Sequence, residues 1–399
     1  MNRRNNMKRI AIPLLLSLSL LLSGCQNTDT GSNGGDSAST GAESVAVIDT
    51  AALFSDRDLD GSYDESAAVH IQLEGETAVC DSDAVSIDGS RITLLDEGTY
   101  LVSGALTDGQ IVVDAGDTDK VQIVLASASL TCADSAAIYS KSADKVFLTL
   151  AEGTENTLTN GGSYTAIDKN NIDSVVFSKT DLTLNGSGSL TIDAQAGHGV
   201  VSKDELTING GTFTVDSVDD CLHSGGALAV TGGTFTLSSG DDAIHSDDAV
   251  TIRAGEFSIP YCYEGVEGLS VTVEGAAFDV IAHDDGFNAA GGADSSGFGG
   301  RDEPFAASED SFITVNGGTI TVVSDGDCLD SNGDLTVNGG TLDLTCNGNG
   351  NTALDCSGSY TNNGGSVTTN DGSETNSGGR SGNRLEEERE PLPSGRPKA

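Results

Sequence analysis

Tryptophan is absent from this 399-residue chain, aromatic residues make up only 5%, and Lys and Arg number 19 against 61 acidic residues. Each scarcity removes a class of function. A flat aromatic platform for a neutral glucan has little to be built from; Tyr261, Tyr263, Phe287 and Phe298 are the candidates. Nucleic-acid binding through phosphates needs a basic surface. Here Arg3, Arg4, Lys8 and Arg9 sit at the extreme N-terminus and Arg380, Arg384, Arg389, Arg396 and Lys398 near the other end, so the body between them is left strongly acidic. Such a surface repels acidic polymers and attracts cations. The apolar stretch at residues 10–22 is short for a membrane-spanning helix. A 3.6-residue apolar period is missing from residues 206–279, which argues against helices there.

What the chain does have is a repeat. Leu206-Thr-Ile-Asn-Gly-Gly-Thr-Phe-Thr-Val leads to Val218-Asp-Asp-Cys-Leu-His-Ser, and Leu228-Ala-Val-Thr-Gly-Gly-Thr-Phe-Thr-Leu leads to Gly240-Asp-Asp-Ala-Ile-His-Ser. Phe213, Phe235, Phe257 and Phe278 recur at this period, followed by Ile320 and Leu342. A fixed period of this length identifies a solenoid. Each period holds three short runs rich in Thr, Val, Ile and Phe, bounded by Gly, Asn and Asp, which read as strands between tight corners. Three strands per coil predict an all-β, parallel β-helix. Ile208, Phe213, Val215 and Leu222 are then expected in its bore. The Gly-Gly pairs mark a corner that needs positive φ.

The basic start, the apolar stretch and Leu22-Ser-Gly-Cys25 read as a lipoprotein signal over residues 1–24, with Cys25 lipidated. Residues 25–48 form a Gly/Ser-rich tether. The β-helix is expected over residues 49–370, its first part capping the open end, and residues 371–399 read as a polar, disordered tail. Asp56-Arg-Asp-Leu-Asp-Gly starts like a calcium loop, but Ala67 stands where the closing Glu belongs, so capping-turn chemistry is the better reading. Residues 290–310 interrupt the repeat as a surface loop. Seven cysteines besides Cys25 are an odd number; Cys221 and Cys328 share a repeat position and read as interior, and Cys346 with Cys356 could pair.

One corner repeats carboxylates: Asp219 and Asp220, Asp241 and Asp242, Glu264, Asp284 and Asp285, Asp325 with Asp327. Coils stack about 4.8 Å apart, so these groups must take up protons or be bridged by cations. Ca2+, with six to eight oxygen ligands, suits them. His223, His245, Glu267, Asp330 and Asp355 follow as polar groups on the same side; His223, His245 and Glu267, with Phe287 and Arg301, are candidate ligand contacts. His223 and His245 are expected to stack as neighbours rather than to hold a transition metal.

Several blocks carry a family resemblance: Thr107-Asp-Gly-Gln-Ile-Val-Val-Asp, Ser135-Ala-Ala-Ile-Tyr-Ser-Lys-Ser-Ala-Asp-Lys, Leu150-Ala-Glu-Gly-Thr-Glu-Asn-Thr-Leu, Leu184-Asn-Gly-Ser-Gly-Ser-Leu and Val200-Val-Ser-Lys-Asp-Glu-Leu. They resemble secreted bacterial carbohydrate-binding domain-containing proteins, over roughly residues 55–369. The resemblance implies a right-handed parallel β-helix like that of pectate lyases, bound calcium, binding of cellulose and pectin-like acid sugars, and no established catalysis. The chain departs from the family's pattern at Ala166-Ile-Asp-Lys-Asn-Asn, where Asn replaces expected acids and an ion site is not expected.

Two enzyme readings compete with binding. A pectate-lyase-like reaction needs Arg or Lys beside the substrate, and residues 204–370 contain only Arg253 and Arg301. A polygalacturonase-like reading draws on Val218-Asp-Asp-Cys-Leu and Gly197-His-Gly, but their order is reversed and the flanking motifs are missing. The expected protein is a monomeric, non-catalytic lipoprotein on the outer face of the bacterial membrane. It is expected to bind acidic polysaccharide through calcium and to touch the membrane only through its anchor. A lyase or hydrolase of the pectin class, or a structural adhesin, is the alternative.

Overall fold

In a computed structural model the described residues are 54–289 and 310–375; Cys25, Phe298, Arg301, the tether and the tail lie outside them. Nearly every element is a strand, pairing is parallel from coil to coil, and the architecture is a parallel β-helix. Among the described residues no helix is long and apolar enough to cross a membrane.

The strands fall into a twelve-stranded and a twenty-stranded sheet. The larger sheet is two faces of the coil joined at a corner, because Leu206–Ser217 and Leu228–Ser239 each run through their Gly-Gly pair without a break. Where the sequence suggests two short strands, the backbone thus forms one bent strand. The corner requires glycine twice over. Gly233 and Gly255 have φ of 127° and 136°, and a Cβ on either would lie 3.0 or 2.9 Å from the ring of Phe235 or Phe257 below it.

Register puts like beside like. Phe213 pairs with Phe235, Phe235 with Phe257, and Phe257 with Phe278, followed by Ile320 and Leu342. Successive rings stack with centroids 5.2, 4.5 and 4.4 Å apart. All four phenylalanines are buried, as are Ile208, Val215 and Leu222. Cys221 and Cys328 are buried in the bore, 3.2 Å from Ser217 Oγ and 3.3 Å from Ser324 Oγ. Cys356 is a free thiol, so no Cys346–Cys356 disulfide forms.

The ladder starts earlier than the sequence period suggests. Val69–Gly75 already pairs in parallel with Gly98–Leu106, and Arg91–Leu94 with Gln110–Asp114. Only the short hairpin partner Ala78–Val79 and the strand Val85–Asp88 pair antiparallel at this end. Variable corner loops hide the period in these coils, but the inward residues Ile92, Ile111, Ile138 and Val176 still stack in order.

The segment before the ladder crosses the outside of the coils. Ser55 caps the one-turn helix Asp56–Leu59 in a capping box with Asp58, so capping chemistry is what the Asp-rich motif performs. Asp58 is buried against Lys145 Nζ at 2.7 Å and accepts from Thr183 Oγ1 at 2.5 Å. Arg57 donates to Gln122, and Asn209 to the carbonyl of Leu59. Burial alone would raise the Asp58 carboxyl; hydrogen bonds from Lys145, Thr183 and Ser55 outweigh it and hold its pKa at about 2.

A carboxyl whose folded pKa is depressed stabilises the fold above its unfolded value and loses that contribution as pH falls through the folded one. Asp58→Asn is therefore expected to cost on the order of 2 kcal/mol at neutral pH. The difference from wild type should shrink as pH falls from about 4 to about 2. Urea denaturation across a pH series checks this, and an unchanged midpoint at neutral pH would rule out the strap contact as a stabilising tie.

Candidate functional site

The smaller sheet carries the site. Its short strands Leu222–Ser224, Ile244–Ser246, Val266–Gly268, Phe287–Ala289, Leu329–Ser331 and Leu354–Cys356 stack in register. In each, the first residue points into the bore and the second outward, as strand alternation requires. The outward column therefore reads His223, His245, Glu267, Asn288, Asp330, Asp355. Three residues earlier in each coil lies a second column at the corner: His198, Asp220, Asp242, Glu264, Asp285, Asp327, Thr352.

The corner side chains hold the backbone of the next coil. Asp220 Oδ1 accepts the N–H of Asp242 at 3.0 Å, Asp285 Oδ1 that of Asp327 at 2.6 Å, and Asp327 Oδ1 that of Thr352. His198 Nδ1 takes the N–H of Asp220 at 3.1 Å. The second carboxylate oxygen faces the outer column. Asp220 Oδ2 lies 2.8 Å from His223 Nδ1 and 3.1 Å from His198 Nδ1. Asp242 Oδ2 lies 2.9 Å from His245 Nδ1, which also meets Glu267 Oε2 at 2.7 Å. The rings of His223 and His245 are parallel to within 3°, with centroids 4.7 Å apart. Further along, Asn288 donates to Glu264 at 3.0 Å, and carboxylate oxygens of Asp327, Asp330 and Asp355 lie within 4.8 Å of one another.

The two ends of the array differ in charge. At the histidine end, burial would raise the Asp220 carboxyl, but His198 and His223 hold it far below the usual range. Burial opposes a charged His245, and Asp242 and Glu267 overcome it to lift its pKa to about 11. At the carboxylate end there is no imidazole in the columns. Burial, then repulsion from Asp330, Asp327, Glu264 and Asp284, pushes Asp285 well above the usual range. Burial and the neighbouring Asp330, Asp355 and Asp284 raise Asp327 to about 8. Burial and crowding thus disfavour the charged forms of Asp285 and Asp327.

Comparison with known proteins decides what carries this array. Residues 88–350, and again 238–383, match a family model described as carbohydrate-binding domain-containing protein. The chain belongs to this family. A relative from Acetivibrio thermocellus with the same description is 36% identical over 135 residues, 33% of this chain and 47% of the relative. The match thus spans about half of that relative's length. A solved structure, a polysaccharide lyase-like protein from C. thermocellum in a gadolinium derivative, aligns at 24% identity over 76% of this chain and 94% of its own, with a TM-score of 0.44.

In this carbohydrate-binding domain, Asp220, Asp242, Glu264, Asp285 and Asp327 share one column, with His223, His245 and Glu267 beside it. Asp219, Asp241 and Asp284 form a neighbouring corner column, interrupted by Tyr263 and ending at Gly326. Asp325 stands one position further back, beside His283 at 3.8 Å. Phe287 corrects the sequence expectation: it is fully buried and packs edge-on against Phe278 at 5.1 Å, so it belongs to the bore and cannot touch a ligand. Asp330 and Asp355, expected as polar groups on the same side, complete the outer column; the residue not singled out as a site is His198. His198 is 22 residues before Asp220, the same step as Asp220 to Asp242, so the period could have found it.

Residues 166–171 lie beside a different part of the outward column. On those coils the outward column is apolar, formed by Val112, Tyr139, Phe177 and Val201. Asp168 and Asn170 are engaged by the Tyr139 hydroxyl, at 2.6 and 2.7 Å. The charged array therefore begins only at His198 and Asp220.

Asp327 sets the expected pH response. Its folded pKa lies above its unfolded value, so the folded state keeps a proton that the unfolded chain gives up, and stability falls as pH rises from about 4 to about 8. Asn retains the oxygen that accepts from Thr352 and removes the charge. In chelator-treated protein, Asp327→Asn is expected to match wild type in acid and to exceed it by on the order of a few kcal/mol above about pH 8. Denaturation midpoints across that range measure it; parallel curves for the two proteins would contradict the assignment.

Proposed function

We propose that this protein is a cell-surface lipoprotein that binds acidic, pectin-like polysaccharide through calcium without cutting it. The observation that carries the reading is the stacked array of corner and outer carboxylates, in which burial and the repulsion of neighbouring carboxyls raise Asp285 and Asp327. An acidic surface and an acidic glycan repel each other, and a divalent cation shared between them turns that repulsion into a bridge.

The donor set suits calcium at the carboxylate end. Asp285, Asp327, Asp330 and Asp355 offer only oxygen, and the upward push on Asp285 and Asp327 marks a place that favours a counter-charge. These residues would hold the ion, with Glu264 as the next rung. When bound, calcium supplies Lewis acidity and spare coordination positions for uronate carboxylates. The outer corner column of Asp219, Asp241 and Asp284 borders the same edge. Repetition of rungs adds avidity along a polymer.

Absence of cleavage is supported by the position of the one strong base that the described residues from 204 onward contain. Arg253 lies over the ring of Phe54, 5.8 Å from its centroid, on the strap side of the coil. Anchoring is inferred from the basic start, the apolar stretch and Cys25.

Affinity electrophoresis on polysaccharide panels tests the reading. Retention on polygalacturonate is expected with calcium and lost with chelator, with no unsaturated or reducing-end products in the same samples. Asp327→Asn with Asp355→Asn is expected to weaken retention, and product formation or calcium-independent retention would refute the proposal. Separately, Cys25→Ser is expected to move the protein from the membrane fraction to the soluble one; if it stays with the membrane, the anchor lies elsewhere.

A further inference from the structure

The histidine end of the array has a donor set that calcium does not explain. His245 Nδ1 faces two carboxylate oxygens at once, Asp242 Oδ2 at 2.9 Å and Glu267 Oε2 at 2.7 Å. The two carboxyls are also within hydrogen-bonding contact of each other. Both carboxyl side chains are 7% exposed and the imidazole 21%. One ring nitrogen carries at most one hydrogen, so it is shared between two oxygens, and the two buried carboxylates repel unless protons or a metal cation lie between them.

The other side of the ring fixes which nitrogen is available. His245 Nε2 lies 3.3 Å from Asp247 Oδ1. A metal ion bound here displaces the proton on Nδ1; with Nε2–H donating to Asp247, the freed lone pair points at Asp242 and Glu267. A carboxylate that orients a histidine through its distal N–H is the arrangement that supports metal ligation by the proximal nitrogen. The separations also fit. Ligands about 2.0–2.2 Å from a tetrahedral zinc ion lie roughly 3.4 Å from one another; these three atoms fall within 4.8 Å of one another, so small side-chain shifts admit the ion. A mixed nitrogen and oxygen set selects a borderline transition ion, because calcium takes oxygen.

We propose that Asp242, His245 and Glu267 form a binding site for a divalent transition ion of the zinc type, separate from the carboxylate-only rungs. The ligands come from two consecutive coils, so the ion pins one coil to the next. Three protein ligands leave coordination positions open on the solvent side, available to water or to hydroxyl and carboxylate groups of a glycan. A neutral imidazole and two carboxylates balance a 2+ charge within the cluster. The neighbouring groups Asp220, Asp241 and Glu264 are all acidic and deepen the attraction for a cation.

The test uses the mature chain stripped with chelator, then held in excess Ca2+ while Zn2+ is titrated calorimetrically, with Co2+ absorption as a second readout. One saturable Zn2+ per chain is expected despite the calcium, with perturbed Co2+ bands that report nitrogen ligation. Loss of an outer-shell partner alone costs about 10–100-fold in metal affinity, so loss of a ligand in Glu267→Gln or His245→Gln should cost at least about 100-fold. Asp343→Asn, an exposed change on another face, should bind Zn2+ like wild type. Thermal midpoints of each chelated variant identify any that fails to fold, and the two ligand variants are independent of each other. No saturable Zn2+ binding in excess calcium, or wild-type affinity in a folded ligand variant, would overturn the proposal.

Discussion

Coil stacking at about 4.8 Å governs everything on this molecule's surface. Parallel pairing in strict register places each residue directly above its counterpart one period away, so any side chain used once is used again within van der Waals or Coulomb range. Inside the bore this is favourable. Phe213, Phe235, Phe257 and Phe278 form a continuous column of stacked rings, and dispersion and burial reinforce each other. Outside it is a constraint, because stacked carboxylates cannot escape their neighbours. The fold puts corner aspartates to use: one oxygen each of Asp220, Asp285 and Asp327 accepts the backbone N–H of the next coil. The same carboxyls that secure the coil corner thereby become a fixed line of acidic groups.

That line is graded. At one end imidazoles interleave with carboxylates and supply their own positive charge; at the other only oxygen is present and the carboxyls hold protons far above their usual range. An apolar stretch of the same outward column, from Val112 to Val201, closes the array on the N-terminal side. One geometric column thus passes from hydrophobic to mixed to purely acidic along the helix axis. This gives the binding edge a direction that the backbone alone lacks.

Much of this was legible in the sequence wherever the period was clean. The Phe stack, the bent Gly-Gly corner region and the Asp-Asp corners all follow from the regular coils around residues 206–279. Phe287 was misjudged by parity alone: the alternation that turns Leu222 inward and His223 outward also turns Phe287 inward and Asn288 outward. The coils before Ile111 were hidden because corner loops of unequal length break the spacing while the ladder register persists. The contacts of Asp58 with Lys145 and Thr183 join residues far apart in the chain, and no local pattern announces them.

The strap that begins at Phe54 changes how the solenoid responds to load. A stack whose coils touch only their neighbours unravels from its free end, one coil at a time. Here the first described segment lies across the coils of Gln122, Asn185 and Asn209 and is fastened to each. Tension arriving along the chain from the N-terminal side is therefore borne by several coils in shear, instead of peeling the first strand from the ladder. The molecule is built like a spring held by a clasp across its turns, with the pulling end fed through the clasp.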